Sequence, residues 1–345
     1  MRKTGVSDLP LHGGKCPPWL FKRMKRLAGL VSEVVIYEYG TDEFLKRIAN
    51  PFFFQAFGCV LGFDWHSSGV TTTTLGALRE SLDPEKHGLA ILGGKGSVSR
   101  KTPNEIERMS QIFPLTENET DYLKYSSRMA AKVDTSAVQD SYQLYHHNFI
   151  LSENGNWSVI QQGMNPEKKY ARRYHWLSED VKSFVEEPHT AICCDFRNRT
   201  LNMVSKENKD SRKVSVNIVK DSLGEVRKYL IMGRHHWIDK RIFSKLLDLK
   251  EFQPRDYEEI LAFRGVGPKT IRALALTSKL IYGTELSWKD PVKFSFARGG
   301  KDGTPFPVER KAYDEGNDIL RNAIENAKMG NKERLGAIRR LKSFV

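Results

Sequence analysis

The sequence, 345 residues long, predicts an N-terminal domain of α/β or α+β class followed by a mainly α-helical C-terminal domain. Apolar residues recur every three to four positions through residues 20–35, which is the period of a helix. Two β-rich runs flank Asn154-Gly155, a pair that is typical of a β-hairpin in this context. Beyond residue 238 the apolar residues return to the helical period, which predicts the second domain.

The N-terminal elements follow from these patterns in chain order. A helix over residues 20–35 leads into a strand edge over residues 34–39, and a second helix starts at Thr41, whose hydroxyl can cap it. Pro51 interrupts that helix, and the very apolar residues 52–62 are expected in the core. The remaining predictions are helices over residues 71–82, 103–113, 118–133 and 137–145 and strands over residues 89–92, 147–152 and 157–161.

The polar, charge-rich residues 206–213 predict an exposed connection between two domains. We therefore place an α/β catalytic domain at residues 1–205, a linker at residues 206–225 and a helical domain at residues 226–345. Helices are predicted in the last domain over residues 238–249, 256–261, 270–281, 312–328 and 333–344.

The charge of the chain is concentrated in its last third. The whole sequence has 55 Lys and Arg against 42 Asp and Glu, a formal charge of +13. Residues 1–225 hold 30 basic and 27 acidic side chains, whereas residues 226–345 hold 25 basic and 15 acidic ones. A positive field of this kind attracts polyanions, although a basic surface can also serve solubility alone.

The composition also limits where the protein is expected to reside. No apolar run reaches the roughly 18–20 residues of a membrane helix, and residues 1–15 lack the apolar core of a signal peptide. The four cysteines form no Cys-x-x-Cys pair and are too few for a disulfide scaffold. We expect a cytoplasmic, reduced protein without a membrane partner.

The clearest motif is a glycine turn between two helical patterns. Residues 257–264 and residues 271–276 are helical, and the segment that joins them is Gly265-Val266-Gly267-Pro268-Lys269-Thr270. Glycine permits a close backbone approach, and proline suits the first turn of a helix. Free N–H groups at that helix start, together with Lys269 and Arg272, form a site for a phosphate.

This turn resembles the helix-hairpin-helix of many DNA repair and recombination proteins, in which the hairpin grips the phosphate backbone without reading sequence. The resemblance implies phosphate contacts by Gly265, Gly267, Lys269 and Thr270. We assign Val266, Pro268 and Arg272 to the same DNA-binding set. The alternative is a turn that only packs two helices or contacts another protein.

The motif also resembles the version found in base-excision glycosylases, where a lysine in the hairpin is the nucleophile and an aspartate follows in the next loop. Lys269 occupies the matching hairpin position, and Asp290 is a possible aspartate, at a longer separation than is usual there. The cysteine loop that holds an iron–sulfur cluster in some members is absent from the sequence. A glycosylase or abasic-site lyase is therefore an alternative to simple phosphate binding.

The N-terminal part has its own candidates for chemistry. Asp64 and His66 lie in Asp64-Trp65-His66-Ser67-Ser68-Gly69, where they could hold a divalent metal, Mg²⁺ or Mn²⁺, or act as an orienting carboxylate and a base. The alternative is a loop that caps the following helix. Lys95, in Gly93-Gly94-Lys95-Gly96, could cradle a phosphate, although the spacing is not that of a nucleotide-binding loop.

Two adjacent histidines complete these candidates. His146 and His147 should face opposite sides of a strand, so at most one can share a site with His66. The polar and aromatic residues 157–164 and 172–176 suit stacking on bases and gripping phosphates, or an ordinary core edge.

The whole chain resembles an archaeal and bacterial family that carries a domain-of-unknown-function label. The resemblance rests on residues 64–69, 93–96, 143–147, 157–164 and 299–303, and it implies an N-terminal domain unlike that of the glycosylases. Our leading hypothesis is a metal-dependent nuclease in DNA repair or recombination, with catalytic residues Asp64, His66, Lys95, His146 and His147. A non-enzymatic DNA-binding protein is the further alternative, and a homodimer is compatible with either.

Overall fold

The computed structural model describes residues 16–63, 67–194, 197–224 and 240–292. Five helices come first: α1 (Pro18–Tyr39), α2 (Thr41–Ala49), α3 (Pro51–Val60), α4 (Ser68–Ser81) and the short α5 (Pro84–His87). Pro51 separates α2 from α3 as predicted, because it is the first residue of a new helix. The Asn50 side chain caps that helix by accepting from the Phe52 and Phe53 N–H groups at 2.9 and 3.3 Å.

A five-stranded antiparallel sheet follows, with strands in the order β1-β3-β4-β5-β6. The strands are β1 (Leu89–Lys95), β3 (Gln143–Ser152), β4 (Trp157–Asn165), β5 (Tyr170–Leu177) and β6 (Ala191–Cys193). Helices α6 (Thr102–Met109) and α7 (Glu117–Lys132) connect β1 to β3, and a small second sheet pairs β2 (Val138–Gln139) with β7 (Leu201–Asn202). Antiparallel pairing of this kind makes the region α+β.

Helices cover both faces of this sheet. One face packs against α1–α4 through apolar residues such as Ile91, Ile150 and Ile160. The other face packs Phe149 and Trp176 into a second core that also contains residues of α6 and α7. Because helices cover both faces, β4 is buried along most of its length, and its polar residues, among them Gln161 and Gln162, are buried with the apolar ones.

The C-terminal helices belong to that second core. They are α8 (Lys209–Asn217), α9 (Lys240–Phe252), α10 (Tyr257–Ala262) and α11 (Pro268–Tyr282). Leu246, Ile260 and Ile271 are fully buried in the same cluster as Phe149 of the sheet. No helix in the described part of the chain is long and apolar enough to cross a membrane.

Residues 206–224 differ from the exposed linker that the sequence predicts at residues 206–225. They form a 3-10 turn, helix α8 and a π-helical turn over Ile218–Ser222. Ser211, Ser215 and Val219 are buried, since this stretch packs against α9 and α11. Lys209, Asp210 and Lys213 lie on the exposed side of the helix, whereas Arg212 is buried and bonded to Glu186 and to backbone carbonyls. The division of the chain into separate domains stays a prediction.

The sheet also shows where local patterns succeed and fail. The predicted hairpin is confirmed: β3 and β4 are joined through Asn154-Gly155, and Gly155 has a φ of +79° that suits glycine. The predicted strand edge at residues 34–39 is wrong, because α1 continues to Tyr39 and buries Val35 in the helical core. The predicted helix at residues 137–145 is also wrong, because β2 and the start of β3 occupy it.

A buried ionic cluster joins the end of the described chain to the sheet. Arg172 of β5 donates to Asp140 and Asp290, at 2.8 Å each, and all three side chains are almost fully buried. Asp290 also accepts from the Asn198 and Val292 N–H groups at 2.8 and 3.1 Å. The guanidinium lies 4.5 Å from the centre of the Tyr142 ring. This cluster fixes the segment after α11 against the sheet.

Replacing Asp290 with alanine should strongly destabilise the protein. The buried guanidinium of Arg172 would then have one carboxylate partner, Asp140, instead of two. We expect a loss of about 3–5 kcal/mol in the free energy of unfolding, measured by urea denaturation at neutral pH. The matched control is Glu207→Ala, which breaks an exposed pair with Lys289 (2.5 Å) in the same region and should leave stability unchanged. Equal stability of the two variants would contradict the structural role of Asp290.

Candidate nucleic-acid interface and sheet-end cluster

The predicted site residues fall into two regions of the structure. The first is the turn between α10 and α11, here called the hairpin turn (residues 263–270). The second is a set of polar side chains at the end of the sheet, here called the sheet-end cluster, whose members are Thr71, Lys95, His146, Gln162 and Arg173. Asp64 and His66 lie outside the described residues.

Local backbone geometry builds the hairpin turn. Helix α10 ends at Ala262, Gly267 is the residue before α11, and Pro268 is the first residue of that helix. Gly265 has a φ of +88°, and a Cβ there would lie 2.8 Å from Lys245 Cε. Gly267 differs, since its φ of −134° suits any residue and a Cβ would meet no atom of the described residues within 4 Å. The fold requires glycine at position 265 but leaves open space beside position 267.

Basic side chains surround this open space. Arg264, Lys269 and Arg272 are exposed, as is Pro268. Val266 and Thr270 of the predicted DNA-binding set are buried, with 3% and 4% of their surface exposed, so their side chains pack inward. The exposed side of the turn therefore combines the N-terminus of a 15-residue helix with three cationic side chains, an arrangement suited to an anion.

Lys132 holds the inner side of the hairpin turn. From the end of α7 its ammonium donates to the Phe263 and Val266 carbonyls at 2.9 and 2.6 Å. Gln139 of β2 donates to the Pro268 carbonyl at 2.8 Å. Burial lowers the pKa of Lys132 to about 8. The turn is thus attached to the body of the protein through its carbonyls, and no described side chain caps the start of α11.

The sheet-end cluster is built by strand register. Lys95, His146, Gln162 and Arg173 lie directly opposite one another across β1, β3, β4 and β5. Opposed residues of neighbouring strands point to the same face, and this face packs against α1–α4. Residues distant in sequence are thereby placed in one row.

Helix α4 packs against this row and contributes hydrogen-bond partners to it. The Thr71 hydroxyl donates to Gln162 Oε1 at 2.5 Å, and Gln162 Nε2 donates to the Ser68 carbonyl at 3.0 Å. Arg173 lies 3.3 Å from the Thr71 hydroxyl and 2.9 Å from His175 Nε2. Ser68 follows Asp64-Trp65-His66 by two residues. The structure therefore brings the C-terminal half of that predicted motif to the cluster.

His146 is the least satisfied member of the cluster. Only 3% of its surface is exposed, and among the described residues neither ring nitrogen has a partner at full hydrogen-bond geometry, the Asn148 side chain being the nearby polar group that interacts with the ring. Burial lowers the pKa of this imidazole to about 3, so it is neutral at pH 7. A buried polar group without partners is costly, and such groups are concentrated at functional sites. A pKa this low makes the imidazole a weak base, so a role as general base requires a bound anion, such as a phosphate, to raise that pKa.

Lys95 is the last residue of β1 and is exposed. Glycines precede and follow it, at positions 93, 94 and 96. Arg79 of α4 donates to the Gly93 carbonyl, and Glu105 of α6 accepts from the Gly93 N–H at 2.6 Å. The Lys95 ammonium is 5.9 Å from the centre of the Tyr145 ring. This lysine is exposed, and Arg100 and Lys101 are exposed close after it, which gives the end of the sheet a basic rim.

His147 does not join the cluster, as the strand period predicts for one of the two histidines. Its ring lies on the opposite face, where Nε2 is 3.0 Å from the Ser127 hydroxyl and Nδ1 is 2.8 Å from Gln161 Oε1. Gln161 in turn donates to the buried Asp134 at 2.5 Å, which His189 also contacts at 2.5 Å. Both ring nitrogens of His147 therefore have hydrogen-bond partners inside the protein core.

The two residues of the predicted lyase pair have different environments. The carboxylate of Asp290 is used by Arg172 and by two backbone N–H groups, and Lys269 is not among these partners. Among the described residues no group of three His, Cys, Asp or Glu side chains could hold a metal ion. Asp64 and His66, the metal ligands that the sequence predicts, lie outside the described residues.

Sequence reasoning named the strand segments that carry Gln162 and Arg173, but it did not name Thr71 as a partner of either. Glutamine and arginine inside otherwise apolar, buried strands are the pattern that marks such positions. Thr71 lies on a helix remote in sequence, and nothing in its local pattern indicates the contact.

Comparison with protein families matches residues 5–308 to the family described as Protein of unknown function (DUF763). The match spans most of the chain, and the protein belongs to this family. Comparisons with curated proteins and with solved structures gave no match.

Acidification should destabilise the protein partly through His146. Its pKa in the folded protein is about 3, below the ordinary value of 6.5, so the unfolded chain binds more protons between these values. Stability is then lost as the pH falls through this window. We expect the unfolding free energy of His146→Leu, measured between about pH 6 and pH 4, to depend less steeply on pH than that of the wild type. The two slopes should differ by up to ~1.4 kcal/mol per pH unit. An unchanged slope would show that His146 is charged in the fold.

Removing the Lys132 ammonium should loosen the hairpin turn. In Lys132→Met the Phe263 and Val266 carbonyls lose their donors, and we expect a destabilisation of about 1–3 kcal/mol. Hydrogen exchange measured by mass spectrometry should accelerate in peptides covering residues 263–271. The control is Lys124→Met, which removes a lysine of the same helix that pairs with Glu107. Equal exchange at the turn in both variants would contradict the role of Lys132.

Proposed function

We propose that this member of the DUF763 family is a DNA-processing enzyme, a nuclease that holds the DNA backbone at the hairpin turn and cuts a phosphodiester at the sheet-end cluster. The observation that carries the proposal is the open space beside Gly267. The fold does not need glycine there, whereas a phosphate approaching the helix start would be obstructed by a side chain. The resemblance of the turn to a helix-hairpin-helix favours the same function.

Charge supports the binding part of the proposal. Arg264, Lys269 and Arg272 surround the turn, and the last third of the chain holds 25 basic against 15 acidic residues. Contacts of this kind neutralise phosphates and carry no base code, so we expect binding that is strongly salt-dependent and tolerant of sequence.

The sheet-end cluster supports the chemical part. The neutral His146 would take a proton from the attacking water, and Lys95 would stabilise the negative charge of the phosphate. A divalent metal held by Asp64 and His66 would polarise the phosphate and lower the pKa of bound water. His66 is the alternative base. The negative charge of a bound phosphate would raise the pKa of His146 toward the range that a general base needs.

Binding is tested with Lys269→Gln, measured by fluorescence anisotropy on several DNA sequences across a salt series. We expect weaker binding to every sequence and a salt slope reduced by about one, because one phosphate contact is lost. Lys279→Gln is the matched control, since Lys279 is exposed near the other end of the same helix. Equal affinity of Lys269→Gln and the wild type would contradict the assignment of the hairpin turn.

Cleavage is tested on labelled single-stranded, double-stranded and abasic DNA with EDTA, Mg²⁺ or Mn²⁺. We expect metal-dependent cutting that His146→Gln abolishes and that His147→Gln retains per folded molecule. Thermal melting establishes the folded fraction of both variants. Cleavage confined to abasic sites and resistant to EDTA would favour the lyase with Lys269 and Asp290, with a borohydride-trapped adduct. Binding without cleavage of any substrate would favour a non-enzymatic protein.

A further inference from the structure

A groove of about 620 Å³ opens beside the hairpin turn. Pro268 and Arg272, at the start of α11, line one side of this groove. Gln143 and Leu144, at the start of β3, and Asn165, at the end of β4, line the other side. A volume of this size encloses small organic groups rather than a duplex. The groove therefore suits a base or a short unpaired strand lying next to DNA held at the turn.

The charge inside the groove suits a phosphate backbone. Arg199 and Arg272 are exposed on its walls. Asp140 also lines the groove, but its carboxylate is bound by Arg172 at 2.8 Å and by the Tyr174 hydroxyl at 2.6 Å, which compensates its charge. Glu167 is exposed at the rim, where solvent screens its charge. The walls thus present two arginines toward the open space.

Arg199 also offers a surface for stacking. Its guanidinium carbon lies 4.8 Å from the centre of the Trp288 ring, so the two planar groups form one platform. Unpaired bases stack on arginine and aromatic planes without regard to sequence, whereas paired bases are stacked within the duplex. Gln143 also lines the groove, and its exposed amide can hydrogen-bond a base edge.

The groove and the sheet-end cluster lie at the same end of the sheet. Gln143 precedes His146 by three residues of β3, which corresponds to roughly 10 Å along a strand. A strand that leaves the hairpin turn through the groove would therefore reach the end of the sheet, where the cluster lies on the face toward α1–α4.

We propose that this groove binds an unpaired single-stranded DNA segment continuous with a duplex held at the hairpin turn, so that the substrate is a junction between double-stranded and single-stranded DNA. This inference rests on the proposed function, and it adds to it the class of DNA structure that the site selects.

The test compares a short duplex with the same duplex bearing a single-stranded tail, using the full-length protein and fluorescence anisotropy at fixed salt. We expect the tailed DNA to bind more tightly. Arg199→Gln should lose about tenfold in affinity for the tailed DNA and change less than twofold for the plain duplex, which is the scale of one lost stacking contact. Gln143→Ala should act in the same direction. Arg23→Gln is the matched control, because Arg23 is also exposed and lies over a tryptophan, Trp19, at 5.5 Å.

The outcomes separate this inference from the proposed function. Equal affinity of the wild type for plain and tailed duplex would overturn the groove assignment while leaving duplex binding at the turn intact. Equal weakening of both DNAs by Arg199→Gln would also overturn it, since that result indicates a general phosphate contact. Failure of the wild type to bind either DNA would remove the proposed function and the groove assignment together.

Discussion

The contact of Arg172 with Asp140 and Asp290 determines how the two parts of the chain are arranged. Arg172 lies near the start of β5, Asp140 follows β2, and Asp290 lies beyond the last described helix. The charges compensate one another away from water, so each of the three positions depends on the other two. Because Asp290 comes after α11, this contact fixes the C-terminal end of the segment that contains the hairpin turn.

The two faces of the sheet hold polar side chains for different purposes. Toward α7, the row of Ser127, His147, Gln161 and Asp134 is closed by hydrogen bonds, which is the expected condition of a polar core. Toward α4, the row containing His146 leaves buried polar atoms without partners among the described residues. Adjacent histidines in one strand thus differ in environment because a strand directs neighbouring residues to opposite sides.

Much of this could be predicted from sequence where local physics decides the outcome. The β3–β4 turn follows from Asn154-Gly155, and the opposite facing of His146 and His147 follows from the strand period. Strand β5 escaped prediction because it carries Arg172 and Arg173, whose charges are compensated by residues far away in the chain. Residues 206–224 resemble a linker in sequence for the same reason. They form a helix that is buried by packing against α9 and α11, which lie later in the chain. The contact between Thr71 and Gln162 has no local signature at all.

The way Lys132 grips the hairpin turn has a consequence for the energetics of recognition. A flexible glycine turn would lose conformational freedom when it closed on a ligand, and that loss would weaken association. Here the carbonyls of Phe263 and Val266 are already held by one ammonium, and the Pro268 carbonyl is held by Gln139. The ordering of the turn is complete when the protein folds. A ligand that bound at the start of α11 would therefore meet a turn that is already ordered, with little further loss of conformational entropy.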